Sequence, residues 1–347
     1  MFTLLIIIVV LAFIFDYING FHDAANSIAN VVSTKVLSPF QAVLWAAFFN
    51  FAAFFLAEYV FHSFGIGDTI TKIVNSHFVN LEVILAGLIA AIVWNLITWW
   101  FGIPSSSSHT LIGGFMGAAI ASAHGFVIDG MEVVNSNLVI KIFSFIFLAP
   151  FIGMFVAFLI TILVVHLFKN SNPKKAETKF KRFQLLSSAA LSLGHGGNDA
   201  QKVMGIIGAA IIYYEKTVNH QTMDFNQFVA EYNWVPFCSF LAIGLGTLSG
   251  GWKIIKTMGT KITKITPLEG VCADTAGAIT LYITQALKIP VSTTHTITGS
   301  IIGVGATKRL SAVRWGVTIS LLWAWIITIP ISALMAAAFY YIIKLIS

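Results

Sequence analysis

Long apolar runs alternate with short polar breaks along the whole chain. They lie at about residues 3–33, 39–60, 81–101, 106–123, 138–168, 183–213, 235–251, 267–288, 292–307 and 314–346. Most reach the roughly 20 residues that a helix needs to cross a bilayer. Spanning segments must pair every backbone group internally, which leaves helices or a closed barrel. The runs are continuous rather than alternating, which selects helices. The pattern therefore predicts an all-α polytopic membrane protein. Small and polar residues interrupt two of the runs, near 19–23 and near 194–199, and broken or re-entrant helices are expected there. Pro150 and Pro330 are expected to kink or split their segments. The first run, MFTLLIIIVVLAFIF, has no basic flank and no A-x-A cleavage site, and reads as a retained helix.

Composition agrees. The chain is 57% hydrophobic and 10% charged, with a mean hydropathy of +0.87, against about 25% charged residues in ordinary soluble domains. The net charge of +6 points to loop placement rather than to nucleic acid. Residues 169–182 carry six Lys/Arg and one acid, 252–266 carry four lysines and no acid, and 308–314 carry Lys308, Arg309 and Arg314. By contrast, 124–137 holds Asp129 and Glu132 without a basic residue, and 215–234 holds three acids against Lys216. With the basic loops in the cytoplasm, both termini lie on the extracytoplasmic side, and the first five runs are inverted relative to the last five. Cys238 and Cys272 lie in apolar runs and read as buried thiols.

The halves also match in sequence. Ile103-Pro104-Ser105-Ser106-Ser107-Ser108-His109-Thr110 corresponds to Ile289-Pro290-Val291-Ser292-Thr293-Thr294-His295-Thr296, with Gly113 and Gly117 in register with Gly299 and Gly303. Gly20-Phe21-His22-Asp23-Ala24 corresponds to Gly196-Gly197-Asn198-Asp199-Ala200. The expected organisation is a first membrane repeat at 1–168, a basic cytoplasmic linker at 169–182, and a second, inverted repeat at 183–347. Inverted repeats with matched polar breaks are a signature of secondary transporters.

A Ser/Thr cluster that follows Pro and precedes a Gly-containing apolar run has the form of a helix N-cap. A helix starting inside the membrane points free N–H groups and a positive dipole end at its surroundings, which suits an anion. Asp23 and Asp199 are carboxylates inside spans, which are costly and usually functional. Imidazole side chains ordinarily change charge near neutral pH, which makes His22, His109, His195 and His295 candidate proton relays, although hydrogen-bonded packing explains any one of them equally well. Lys202 lies one turn after Asp199, and its counterpart is Asn26. Asp274 is mid-span with Leu88 at the matching position. Glu58 and Glu82 sit at span ends.

These motifs resemble the inorganic phosphate transporter (PiT) family. NGFHDAANSIAN (19–30) and SLGHGGNDAQKVMG (192–205) are similar to its duplicated Asn-Asp signatures. WNLITWWFGIPSSSSHTLIGG (94–114) and IPVSTTHTITGS (289–300) are similar to its two Ser/Thr-His segments. The resemblance implies phosphate uptake driven by a cation gradient, no enzymatic activity, no resident cofactor or metal, a site between the repeats, a homodimer, and a place in the inner membrane. Carried over residue by residue, it makes Asp23, Asn26, Asn198 and Asp199 substrate or cation ligands. It makes Ser107, Ser108, Thr110, Thr293, Thr294 and Thr296 phosphate donors. The chain departs from the family pattern at His22 and Lys202, each in place of Asn, and at Asn50 in place of Glu. Asp274 keeps an acid where the family has Glu. These features are closer to the bacterial low-affinity, proton-coupled branch. Lys202 is thus expected at the anion site, with Asp23, Asp199, His22 and Asp274 in proton coupling and protons favoured over sodium. Carriage of a divalent metal–phosphate complex, sodium coupling, and a sulfate or other oxyanion permease stay open. An intramembrane serine hydrolase is disfavoured by the absence of a G-x-S-x-G or H-E-x-x-H motif, and a self-contained ATPase by the absence of a P-loop.

Overall fold

The computed structural model describes residues 1–346 and is almost wholly helical. Phe2–His22 (α1) and Ala24–Ser33 (α2) form the first run, broken only at Asp23, where φ is −96° and ψ is 5°. Pro39–Leu56 (α3) starts at a capping box in which the Ser38 side chain and Gln41 serve each other's backbone N–H, with Pro39 at the first helical position. It ends in a π-helical turn at Ala57–Phe61. A short helix, Gly65–Thr71 (α4), precedes Leu81–Phe101 (α5), which Asn80 caps and Gly102 closes in a left-handed conformation. Ser107–Ala123 (α6) leads through a small hairpin, Val127–Ile128 (β1) and Met131–Glu132 (β2), into Ser136–Phe168 (α7).

Pro173–Val218 (α8) is followed by Phe225–Glu231 (α9), Trp234–Ser249 (α10), Trp252–Lys261 (α11), Pro267–Ala286 (α12), Thr293–Lys308 (α13) and Trp315–Ile346 (α14). Among the described residues, five segments are long and apolar enough to cross a membrane: Phe2–Ser33, Pro39–Phe61, Leu81–Phe101, Ser136–Phe168 and Trp315–Ile346. The helices α6 and α13 have 17 and 16 residues, about 25 Å each, and so fall short of a hydrocarbon core of about 30 Å.

Two expectations are corrected. The run at 183–213 is not interrupted near 194–199, because α8 passes through Gly194–Asp199 unbroken. The glycines there serve close packing instead. A side chain at Gly196 would overlap the Asn50 carbonyl of α3, and one at Gly197 would press on Gln285 of α12. Within the basic stretch 169–182, Pro173 onward forms the first turns of α8. Pro150 and Pro330 lie inside α7 and α14 without splitting them.

Packing is exchanged between the two halves. α6 of the first half lies against α14 of the second, and α13 of the second lies against α7 of the first. Likewise α1 packs on α5 and α10, while α8 packs on α12 and α3. Paired glycines make close approaches here. Gly113 and Gly117 meet Ile329 and Ala333 of α14, and Gly299 and Gly303 meet Pro150 and Met154 of α7. Small residues four apart let backbones touch where lipid offers no hydrophobic drive.

The loops sort onto two ends. Asn75 and Asn135 exchange backbone hydrogen bonds with Val133 and Ile73, so the loop after α4 meets the acidic 124–137 loop. Gly67 touches Phe225 of the acidic 215–234 loop. At the other end Lys308 Nζ donates to the Lys264 carbonyl at 3.0 Å, joining two basic loops.

Candidate functional site

The break at Asp23 and the starts of α6 and α13 converge in the interior. Ser106 Oγ accepts the His109 N–H at 3.2 Å and Ser292 Oγ accepts the His295 N–H at 3.3 Å, so both clusters do cap helices. The next two residues of each helix reach the carboxylates and their neighbours. Ser107 Oγ donates to Asp23 Oδ2 at 3.0 Å, and Thr293 Oγ1 donates to Asp199 Oδ2 at 3.4 Å. Lys202 Nζ donates to Ser108 Oγ at 2.6 Å, and Asn26 Nδ2 donates to Thr294 Oγ1 at 3.0 Å. Exchanging the matched residues of the two halves turns each of these bonds into another of the set.

The charges are not matched in this way. Lys202, 2% exposed, also donates to Asp199 Oδ1 at 2.6 Å and to the Val291 carbonyl at 2.7 Å. Its three protons thus meet a carboxylate, a hydroxyl and a carbonyl. Asn26 gives its amide to Thr293 as well as Thr294. Asp23 Oδ1 lies 2.6 Å from His22 Nδ1, and His22 Nε2 lies 3.0 Å from Thr98 Oγ1. His195 Nε2 is 3.3 Å from Asp199 Oδ2, and its Nδ1 is 3.2 Å from Asn50 Oδ1. Asp23, His195 and Asp199 each present an atom within 4.8 Å of the others, close enough to ligate one cation between them. All of these residues are buried.

The structure does not bring all of the sequence-predicted residues to one place. His22, Asp23, Asn26, Ser107, Ser108, Asp199, Lys202, Thr293 and Thr294 form the cluster just described. Asn198 is buried beside it with neither amide atom partnered. Thr110 and Thr296 lie one turn into their helices, and their hydroxyls donate to the Ser106 and Ser292 carbonyls at 2.8 and 3.0 Å. Asp274 belongs to a separate cluster further along α2, where it accepts from Asn30 Nδ2 at 2.7 Å, with Ser187 Oγ 3.5 Å away. His109 and His295 meet edge to face, their ring centroids 4.8 Å apart, and His295 stacks on Trp325.

Reading by matched motifs missed Asp16. It is fully buried on α1, and neither oxygen has a partner. Its position two turns before Asp23, inside an apolar run, was the available signal.

The model of a family described as the phosphate transporter family matches residues 19–336. The chain belongs to the phosphate transporter family. Its fold also matches a solved structure described as the sodium-dependent phosphate transporter, with a TM-score of 0.84, 26% identity, and coverage of 99% of this chain and 100% of that one. A probable low-affinity inorganic phosphate transporter of Rhizobium meliloti is 46% identical over 100% of this chain and 98% of its own length. Another of Bacillus subtilis is 46% identical over 99% and 98%. These relatives are named as transporters and not as enzymes.

Proposed function

We propose that this protein carries inorganic phosphate across the inner membrane by symport with protons. In this reading the two halves are inverted repeats, both termini face the extracytoplasmic side, and the chain works as a homodimer. Phosphate would lie between the starts of α6 and α13, where backbone N–H groups can donate to a partly protonated oxyanion and hydroxyls can both donate to it and accept from it. Asp23 and Asp199 would exchange the coupling proton.

The observation that favours protons over sodium is the surroundings of Lys202. A carboxylate, a hydroxyl and a backbone carbonyl, all oxygen ligands, are the set that a hard cation takes. Here a covalently fixed ammonium fills it. The rival reading, sodium coupling, takes its support from the solved structure described as sodium-dependent. A neutral metal–phosphate complex as the carried species is supported by the close grouping of Asp23, His195 and Asp199.

The test is uptake of labelled phosphate into proteoliposomes under a proton gradient, a sodium gradient, or neither. Accumulation under the proton gradient alone supports the proposal. Accumulation that needs sodium refutes its coupling. Competition by sulfate as effective as that by unlabelled phosphate refutes its substrate.

The hydroxyls are expected to separate in the same assay. Ser107→Ala removes a donor to the Asp23 carboxylate. Hydrogen bonds to charged groups are worth about 1.5–3 kcal/mol, so uptake should fall roughly 10–100-fold. Thr110→Val removes only a bond within its own helix and should stay within about threefold of wild type. Equal losses in the two variants would contradict this division.

A further inference from the structure

We infer that Asp16 is a second coupling carboxylate, which binds the transported proton between the outer face and the Asp23–Asp199 site. The inference rests on the proton symport proposed above and adds a residue to it.

Asp16 is 0% exposed, and neither of its oxygens makes a well-aligned hydrogen bond, the side chain of Asn19 one turn on being the polar group beside it. Among the described residues, every other buried carboxylate has a hydrogen-bonded partner. Asp23 has Ser107, Asp199 has Lys202, Glu215 has Tyr232, Glu269 has the Thr266 N–H, and Asp274 has Asn30. A purely structural acid would be expected to share that property, because a buried ion without a partner is destabilising. An acid that must gain and lose a proton in each cycle is better served by having none that fixes it in one state.

Its placement is suitable. On a helix of 3.6 residues per turn, Asp16, Asn19 and Asp23 share one face, and Gly20, at its edge, is pressed against α10. Asp23 lies roughly 10 Å further along the axis. On α1 and the two helices packed on it stand further buried polar atoms without partners: Asn19 Oδ1, both amide atoms of Asn95 on α5, and both of Asn198 on α8. Asn95 is one turn before Thr98, which touches His22. Of the charged groups on neighbouring helices, Asp199 and Lys202 of α8 act on Asp16. The other titratable side chain of α5 is Glu82 in its first turn, and that of α10 is Cys238. A proton on Asp16 therefore interacts with the Asp199–Lys202 pair without touching the residues that would hold the anion.

The experiment uses the purified full chain in proteoliposomes. It compares exchange of labelled for unlabelled phosphate at equal pH with accumulation under an inward proton gradient of one pH unit. With one proton per phosphate, wild type should accumulate about tenfold. Asp16→Asn should keep exchange within about threefold of wild type and lose accumulation, its ratio falling to about one. Asp16→Glu should regain accumulation. If Asp16→Asn accumulates like wild type, or loses exchange as fully as accumulation, the inference is overturned. Should Asp16→Asn not reconstitute, Asp16→Glu decides. It should move the pH dependence of accumulation, and a profile superimposable on wild type overturns the inference. If wild type exchanges phosphate yet does not accumulate it under the proton gradient, proton symport itself fails and takes this inference with it.

Discussion

Asp23→Asn should abolish coupled uptake while leaving the protein folded. The carboxylate stands at the break between α1 and α2, with His22 Nδ1 on one oxygen and the Ser107 hydroxyl on the other. Asn has the same shape, so the break and both neighbours stay in place. What changes is charge and proton chemistry. The amide cannot take up a proton, and its NH2 end meets either a hydroxyl that now has to accept or an imidazole nitrogen that now has to offer a lone pair. Each pH unit across the membrane supplies about 1.4 kcal/mol per proton, or tenfold accumulation at one proton per phosphate. A carrier without its proton acceptor should show no accumulation. Because Asp23 also touches the α6 start, where the anion is placed, exchange at equal pH should fall as well, by roughly 10²-fold if transport needs a charge-assisted contact there. Thermal unfolding in detergent should stay near wild type, since insertion scales favour the neutral amide over the ion. Uptake within threefold of wild type would remove Asp23 from the mechanism. Loss of exchange as well as accumulation is what sets this variant apart from Asp16→Asn.

The spans were legible because bilayer thickness writes itself into run length. The segments expected at 81–101, 138–168 and 314–346 are helices over Leu81–Phe101, Ser136–Phe168 and Trp315–Ile346. The short helices α4, α9 and α11 were not foreseen, since seven to ten residues leave little periodic signal. Most of the site was legible through duplication, as the matched Ser107/Thr293 and Asp23/Asp199 contacts illustrate. Duplication also set the limits. Asp16 aligns with Ser192, which donates to the Ser188 carbonyl, so no repeated acid drew attention to it. Thr110 and Thr296 matched as well as Ser107 and Thr293 did, yet four residues past the cap a Thr hydroxyl comes within reach of its own helix's first carbonyl. The glycines at 194–197 were read as unwinding a helix. Their actual role depends on α3 and α12 lying against them, and no local pattern reports that.

Lys202→Asn should weaken the fold and bring in sodium. The ammonium is buried, paired with Asp199, and bonded to Ser108 and the Val291 carbonyl. Removing one member of a buried ion pair leaves the other uncompensated, at a cost of about 3–5 kcal/mol. The variant should therefore unfold well before wild type in choline chloride. The three oxygens converging on the vacated position would remain, one of them anionic, and Asn is too short to put a charge there. Sodium can then occupy the place of the ammonium. A ligand present at 100 times its dissociation constant stabilises by about 2.7 kcal/mol, so replacing choline with sodium should restore much of the loss in the variant and do nothing for wild type. Phosphate uptake should follow the same course, rising roughly tenfold with sodium in Lys202→Asn and staying flat in wild type. A variant whose unfolding and uptake ignore sodium would show that the Lys202 charge holds Asp199 in place without standing in for a cation. The choice between protons and sodium would then have to rest on other groups, with His22 and Asp16 the first to examine.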